Sequence, residues 1–286
     1  MKSDGTEKVD WLTDILPDIQ KYKNKIIVVK YGGNAMINET LKKSVMEDMV
    51  FLANQGIKLV LVHGGGPEIS HMLDKVGKES KFIDGLRYTD QEIMDVVQMV
   101  LAGKVNKKLV ALIHQMKGKA IGLCGVDGAM IQVEKKKGDV DLGFVGEITS
   151  THPEVIEMAL NNGFIPIIAT VGVDQEGQVY NINADTAAAS IASALKAEKF
   201  ISMTDIRGLL MDKDNEDTLI PDLSIFDVPK LIEKGIINGG MIPKIACCVD
   251  AIKNGLHEAA IIDGRREHSI LLELSSEQSI GTLFHK

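Results

Sequence analysis

Six short aliphatic runs, with any charge confined to an end, recur along this chain of 286 residues. They are Ile26–Lys30 (IIVVK), Lys58–His63 (KLVLVH), Ala120–Cys124, Phe164–Ala169, Lys199–Met203 and Ala259–Ile262. A strand with one wet face alternates apolar and polar residues. A near-continuous apolar run reads instead as a strand buried on both faces, which is the habit of parallel sheets. Helical periodicity fills the intervals. Thr40–Asn54 carries Leu41, Val45, Met49 and Leu52 on one face, and Asp90–Leu101, Pro153–Asn161, Asp185–Leu195, Val228–Lys234 and Ile242–Asn254 behave likewise. Strands alternating with helices imply right-handed crossovers, and hence an α/β sandwich around a mainly parallel sheet.

Two stretches depart from this rhythm. Residues 125–150 hold Asp127-Gly128 and Lys137-Gly138-Asp139 between short alternating pieces, which predicts a hairpin excursion. Residues 7–24 form an amphipathic helix ahead of the first strand, with Val9, Leu12, Ile15, Leu16 and Ile19 apolar. Pro17 is expected to kink or interrupt it. A helix outside the βα series needs cover for its apolar face, and a partner subunit is one answer. The chain therefore divides into an extension, residues 1–24, and a body, residues 25–286.

Charge and cysteine usage remove several function classes. A net charge of −8 argues against nucleic acid, whose phosphates call for a basic surface. A few lysines in a cleft can still bind a small anion. Cys124, Cys247 and Cys248 form neither a CxxC pair nor a disulfide framework. They read as small apolar side chains in a reducing compartment. No apolar run approaches the ~20 residues that span a bilayer. The polar, acid-bearing start lacks the apolar stretch of a signal peptide, so the expected location is the cytoplasm.

The 27 glycines cluster. Lys30-Tyr31-Gly32-Gly33-Asn34 puts a lysine at the end of a buried strand, just before two glycines. Ligands of open α/β sheets bind beyond the carboxyl ends of the strands, and lysine there suits phosphate as a point charge. The same residues also fit a strand-terminal lysine reaching solvent past a tight turn. His63-Gly64-Gly65-Gly66-Pro67 follows the second strand and opens a helix. Three glycines expose a row of backbone N–H groups at a helix N-terminus, an anion site that a mere turn would not need. There is no GxxxxGK[ST] and no GxGxxG, so neither a Walker loop nor a dinucleotide fingerprint is present.

Three further segments matter. Gly85-Leu86-Arg87-Tyr88-Thr89-Asp90 sets an arginine, the bidentate partner of carboxylates, before a helix. A surface ion pair is its plainer reading. Asn181-Ile182-Asn183-Ala184-Asp185 leads into a helix of small residues, where Asn183 fits an N-cap and Asp185 a first-turn acid. Gly239-Gly240-Met241-Ile242-Pro243-Lys244 places a second lysine at a helix start, where it opposes the dipole and wants an anion nearby.

Taken together, KYGG, HGGGP, GLRYTD, NINAD, TDIRG and GGMIPK resemble, in order and spacing, the amino-acid kinase family, over nearly the whole chain from Lys25. The resemblance implies a three-layer α/β sandwich with a mainly parallel central sheet. It also implies an N-terminal lobe of about residues 25–180 for an acyl substrate and a C-terminal lobe of about 181–286 for ATP with Mg²⁺. GLRYTD, NINAD and GGMIPK resemble the members that phosphorylate the γ-carboxylate of N-acetyl-L-glutamate in arginine synthesis. By that resemblance Lys30 and Lys244 stabilise the transferring phosphoryl group and Asp185 orients both. Gly65 and Gly66 hold the substrate by their backbone, Arg87 clamps its α-carboxylate and Asn181 adds a polar contact. Gly32, Gly33, Thr204, Asp205, Ile206, Arg207, Gly208, Leu209, Ile236, Ile237 and Asn238 match the ATP side, with Lys213 close by. No protein-bound metal is implied.

The chemistry agrees without the family. A γ-carboxylate with a reference pKa of about 4.3 is already ionised at neutral pH, so no general base is needed. Two anions must meet in line, which calls for positioning and charge neutralisation. The histidines need no role; His63 is expected to be structural, and His71 and His114 to lie on helix faces.

The ends of the chain resemble arginine-inhibited members, in which an N-terminal helix interlaces dimers into a hexamer, a trimer of dimers. Lys21, Tyr22, His268, Ser269, Glu273 and Gly281 are the corresponding arginine-site candidates. The intervening Ser275-Ser276-Glu277-Gln278-Ser279 departs from the acidic, glycine-bearing loop usual there. L-Arginine is thus an expected inhibitor. Two other readings stand beside the kinase: a catalytically silent arginine sensor, which should lack the lysines, and a kinase for a related acyl substrate such as carrier-linked aminoadipate.

Overall fold

A computed structural model describes residues 5–286, with side chains from Thr13 onward except that of Asn34. Eight strands form the central sheet. Their spatial order is Asp222–Ser224, Thr282–His285, Glu258–Asp263, Lys199–Thr204, Ile26–Tyr31, Lys58–His63, Ile165–Ala169, Ala120–Cys124. Every neighbouring pair is parallel except Glu258–Asp263 with Thr282–His285. The six expected strands are all present, shifted at most by a residue or two at their ends. The two additional ones are short and lie at one edge.

Alternation along each strand feeds two cores. Ile27, Val29 and Tyr31 enter the layer that includes Val45, Met49 and Leu52 of helix Glu39–Asn54. Val28, Val60 and Val62 enter the other, with Ala187, Ala188 and Ile191 of helix Ala184–Ala194 and with Ile245 and Cys248 of helix Met241–Lys253. This is the three-layer α/β arrangement. The small side chains of Ala184–Ala194 let that helix approach the strand Ile26–Tyr31 closely, so its first turn arrives beside the strand's carboxyl end.

The excursion at residues 125–150 is a hairpin, as expected. Ile131–Lys135 pairs antiparallel with Gly146–Thr151, with a bulge between Gln132 and Val133. Val171–Val173 and Val179–Asn181 extend it to four strands. A smaller hairpin joins Phe82–Ile83 to Leu86–Arg87 through Asp84 and Gly85, at φ 48° and 79°. Paired positive φ values are what a two-residue turn of right-twisted strands requires.

Two expectations need correction. Asp90–Leu101 is not one α-helix. Gln91–Gln98 widens into a π-helical stretch, Met99–Val105, which runs on into the helix Asn106–Gln115. A π turn advances the face by a different angle per residue, so a period of 3.6 cannot be followed through it. Pro17 does not interrupt the first helix, which spans Gly5–Gln20. Proline removes one backbone hydrogen bond, and so near the helix end the cost is confined to a single turn. Of its expected apolar face, Val9 and Leu12 lie outside the described side chains. Ile19 is fully buried, and Ile15 and Tyr22 pack against the same core. The helix lies against helix Ser269–Ser275, so this chain itself covers part of that face. Among the described residues, no helix is long and apolar enough to cross a membrane.

Candidate active site

The carboxyl ends of the central strands carry the chemistry. Lys30 closes the first strand beside Tyr31, and its side chain is almost fully buried. Asn183 caps helix Ala184–Ala194, its Oδ1 accepting from the N–H groups of Asp185 and Thr186 at 2.9 and 3.2 Å. That cap fixes the first turn and presents Asp185 to the strand. The Asp185 Oδ1 lies 3.1 Å from the Lys30 ammonium, and Oδ2 accepts from the Lys244 ammonium at 3.0 Å. Ser202, directly beside Lys30 in the sheet, donates its hydroxyl to Oδ1 at 3.1 Å. One carboxylate thus holds two lysines, one from each of two distant segments. The anion that Lys244 needs at its helix start is Asp185. The sequence reading passed over Ser202, although a hydroxyl within a buried aliphatic strand is a signal for it.

The electrostatics follow from this packing. Burial pushes the Asp185 carboxyl up, but Lys30 and Lys244 outweigh it and hold the group below the ordinary carboxylate value. Burial pulls the Lys30 ammonium below the ordinary lysine value, against the attraction of Asp185 and helped by Lys244. The cluster carries two positive charges on one negative. It therefore presents net positive charge to whatever enters beside it.

One cavity opens onto the cluster and a second adjoins it. The first, of about 740 Å³, is bordered by Asp185, Lys244, Gly239, Gly240 and the Gly146–Ile148 stretch of the long hairpin. The other, about 160 Å³, is lined by Gly64, Gly65, Gly66, Arg87 and Asn181. Gly85, Leu86, Val145, Ile182 and Asn183 border both, so the two form one continuous cleft.

Arg87 sits at the second cavity, 5% exposed. Its guanidinium lies over the Phe82 ring at 4.6 Å. Nη2 donates to the Gly66 carbonyl and the Ser70 hydroxyl, each at 2.9 Å, and Nη1 donates to the Ser80 hydroxyl. All these partners are neutral, and burial lowers the guanidinium below its ordinary value. Ser70, Ser80 and Phe82 are thus its supports, and no motif in the chain singles them out. Asn181 donates through Nδ2 to Thr89 Oγ1 at 3.4 Å.

The nucleotide-side candidates gather less tightly. Gly33, at φ 65°, abuts Asp205; a Cβ there would come within 2.6 Å of Asp205 Oδ1. Gly32 borders the Lys30 ammonium in the same way. The loops after two central strands therefore meet at this point. Thr204 ends its strand, and Ile206, Arg207 and Gly208 follow it, with Arg207 bonded to the Glu216 carbonyl at 3.1 Å. Leu209 and Ile237 are core side chains, and Ile236 packs against that core, so only their backbone is on offer. Asn238 donates to the Gly235 carbonyl at 2.7 Å, and Lys213 is exposed. The two cavities of the cleft take in none of Thr204–Leu209 or Ile236–Asn238.

The arginine-site candidates lie elsewhere, where the first helix meets Ser269–Ser275. Glu273 is buried, pairs with Lys199 at 2.8 Å and accepts from Ser279 Oγ and the Ile280 N–H. Tyr22 is half-buried near both, Lys21 pairs with Asp18, and the buried Ser269 hydroxyl has no partner. His268, at φ 55°, bonds Asp48 at 2.7 Å. A Cβ on Gly281 would collide with the Ile261 carbonyl. His71 and His114 are exposed on their helices, as expected. Among the described residues, no three His, Cys, Asp or Glu side chains group as a metal site.

Comparison with known proteins gives this geometry a context. The Amino acid kinase family model matches residues 25–263. The chain is 56% identical to the acetylglutamate kinase of Brachyspira hyodysenteriae over 275 residues, 96% of each chain. It superposes on N-acetylglutamate synthase from Neisseria gonorrhoeae, complexed with coenzyme A and N-acetyl-glutamate, with a TM-score of 0.85 and 25% identity. That match covers 97% of this chain but only 63% of that one. Carbamate kinase from Giardia lamblia bound to AMP-PNP shares the fold, with a TM-score of 0.68 at 15% identity over 92% of this chain and 99% of that one.

Proposed function

Because the chain belongs to the amino acid kinase family, we propose that it transfers the γ-phosphoryl group of ATP to the γ-carboxylate of N-acetyl-L-glutamate. It is a kinase, and its family implies ATP as the phosphoryl donor. The observation that carries the substrate assignment is the cleft itself. Two lysines on one carboxylate stand at one end, and a buried arginine whose bonds all go to neutral groups stands at the other.

The mechanism follows from charge. The substrate's α-carboxylate meets Arg87, whose guanidinium keeps its charge and N–H donors beyond the three given to Gly66, Ser70 and Ser80. Asn181 and the Gly65–Gly66 backbone hold the remaining polar atoms. The γ-carboxylate, ionised at neutral pH, then points toward Lys30 and Lys244. These lysines neutralise charge on the transferring group and Asp185 keeps them in place, so the protein works by positioning and electrostatics. Magnesium carried by the nucleotide phosphates would offset part of their charge. The N-terminal lobe, about residues 25–180, serves the acyl substrate and the C-terminal lobe, about 181–286, serves ATP. Gly32, Gly33 and Thr204–Leu209 lie on the phosphate side, with Ile236–Asn238 beyond.

L-Arginine is the proposed feedback inhibitor, acting at a site to which Lys21, Tyr22, His268, Ser269, Glu273 and Gly281 would contribute. A hexamer built through the N-terminal helices is the proposed assembly, and the cytoplasm the proposed location. The silent-sensor reading is disfavoured by the retained Lys30, Asp185 and Lys244. The aminoadipate reading is disfavoured by the 56% identity, over almost the full length of both chains, to a relative named for acetylglutamate. Hydroxylamine trapping tests the proposal: an acyl phosphate formed from N-acetylglutamate and ATP yields a hydroxamate. Hydroxamate only with a different acyl acid would replace the substrate assignment.

A further inference from the structure

The HGGGP segment contains a histidine that the proposed chemistry leaves unused. His63 is completely buried. Its Nδ1 lies 2.8 Å from the Gly64 carbonyl oxygen and its Nε2 lies 3.2 Å from Asn106 Nδ2. A carbonyl only accepts, so Nδ1 carries the proton and donates it to Gly64. In the neutral ring Nε2 is then an acceptor, and the Asn106 amide donates to it. Burial holds the imidazole pKa down to about 4, so the ring stays neutral at working pH.

Asn106 is itself fixed. It is fully buried, gives one amide hydrogen to the Ile167 carbonyl at 2.7 Å and shares the other between His63 Nε2 and the Leu123 carbonyl, each at 3.2 Å. Its Oδ1 accepts from Lys107 at 3.1 Å, and a Cβ on Gly122 would lie 2.0 Å from that oxygen. Asn106 takes up this position where the π-helical stretch Met99–Val105 ends. The same stretch sets Leu101 against Gly65 so closely that a Cβ there would be 2.6 Å from Leu101 Cδ2.

The consequence concerns one peptide unit. The Gly64–Gly65 peptide is trans, no peptide bond among the described residues being cis, so the Gly64 carbonyl and the Gly65 N–H point in opposite directions. Holding the Gly64 oxygen on the buried imidazole turns the Gly65 N–H away from it. Gly64, Gly65 and Gly66 line the acyl cleft, and the first N–H groups of helix Gly66–Lys75 have no intrahelical partner. We infer that His63, locked by Asn106 as the Nδ1–H tautomer, is a positioning residue that sets the Gly64–Gly65 peptide so that its N–H faces the acyl substrate. This rests on the functional reading above for the identity of that substrate, but the tautomer does not.

Two measurements separate the parts. Imidazole ¹⁵N shifts of the wild-type protein at neutral pH report the tautomer with no substrate present. The expected result is a protonated Nδ1 and a bare Nε2; the reverse pattern, or a charged ring, overturns the inference. Steady-state kinetics then compare His63→Asn, whose amide can still donate to Gly64, with His63→Gln, whose amide reaches Asn106 instead. His63→Asn should keep KM for N-acetylglutamate within about 3-fold, while His63→Gln raises it on the order of 10-fold, with KM for ATP unchanged in both. Equal losses for both variants, or for both substrates, would reduce His63 to a packing role. Wild-type inactivity toward N-acetylglutamate would sink the functional reading, while the tautomer would still decide whether the peptide is held as described.

Discussion

The Lys244 ammonium donates to Asp185 Oδ2 at 3.0 Å, across the carboxylate from the oxygen beside Lys30. Removing that carboxylate leaves two ammonium groups facing each other without a counter-charge. Asp185→Asn should therefore lower kcat on the order of 10²-fold, the scale of a lost preorganised charge contact. It should also lower the Lys30 pKa further than burial already does. The alkaline limb of the rate profile, set by loss of the Lys30 proton, should then move to lower pH than in the wild type. A pH–rate series on both proteins reads this shift.

Arg87 separates binding from chemistry. Arg87→Lys keeps a charge but loses the planar fork, its stacking on Phe82 and its simultaneous bonds to Gly66 and Ser70. KM for N-acetylglutamate should rise by one to two orders of magnitude, corresponding to roughly 1.5–3 kcal/mol of lost charged hydrogen bonding. KM for ATP should stay within error. Initial rates at varied concentrations of each substrate check it.

His63 makes stability depend on pH. Unfolded, the imidazole protonates near 6.5; folded, it stays neutral to about 4. The unfolded state therefore binds more protons between these values. The contribution is full above the unfolded pKa and is lost as pH falls through that window, by about 3 kcal/mol. Denaturant melts at pH 6.5 and 4.5 should show that slope in the wild type and a shallower one in His63→Asn.

Much of this was legible in the sequence because it is written locally. An aliphatic run gives a buried strand, and KYGG, HGGGP and GGMIPK each announce a charge or an N–H row at an element's end. That Lys30 and Lys244 share one carboxylate is a property of the alanine-rich helix packing on the first strand. No spacing in the chain encodes that contact. Asn106 escaped notice because a polar residue within an amphipathic pattern reads as a wet face. The π turn hides the rotation that buries it. The strand Thr282–His285 is only four residues long and pairs antiparallel in an otherwise parallel sheet, so its pattern is short and its direction unannounced.

At the far side of the molecule, Lys199 is buried against Glu273 at 2.8 Å, with Glu258 at 3.4 Å. Burial pulls the Lys199 pKa down, but these acids and Tyr22 hold it above the ordinary value. The contribution is full below the unfolded value of 10.5 and is lost only as pH rises through the folded one. Glu273→Gln leaves a buried charge with one weaker partner, and should cost about 3 kcal/mol at neutral pH by denaturant melt.

Arginine regulation has a separate readout. L-Arginine titrated into the assay should depress the rate, and light scattering should give six chains per particle. Lys21→Ala, an exposed change, should weaken the arginine effect and leave the uninhibited rate unaltered.

The most direct test is ADP release by the purified chain with magnesium-ATP, with and without N-acetyl-L-glutamate, beside Asp185→Asn. The account predicts ADP release that depends on N-acetylglutamate and falls on the order of 10²-fold in the variant. Release independent of the acyl acid, or undiminished in Asp185→Asn, would contradict the assignment of the paired lysines to phosphoryl transfer.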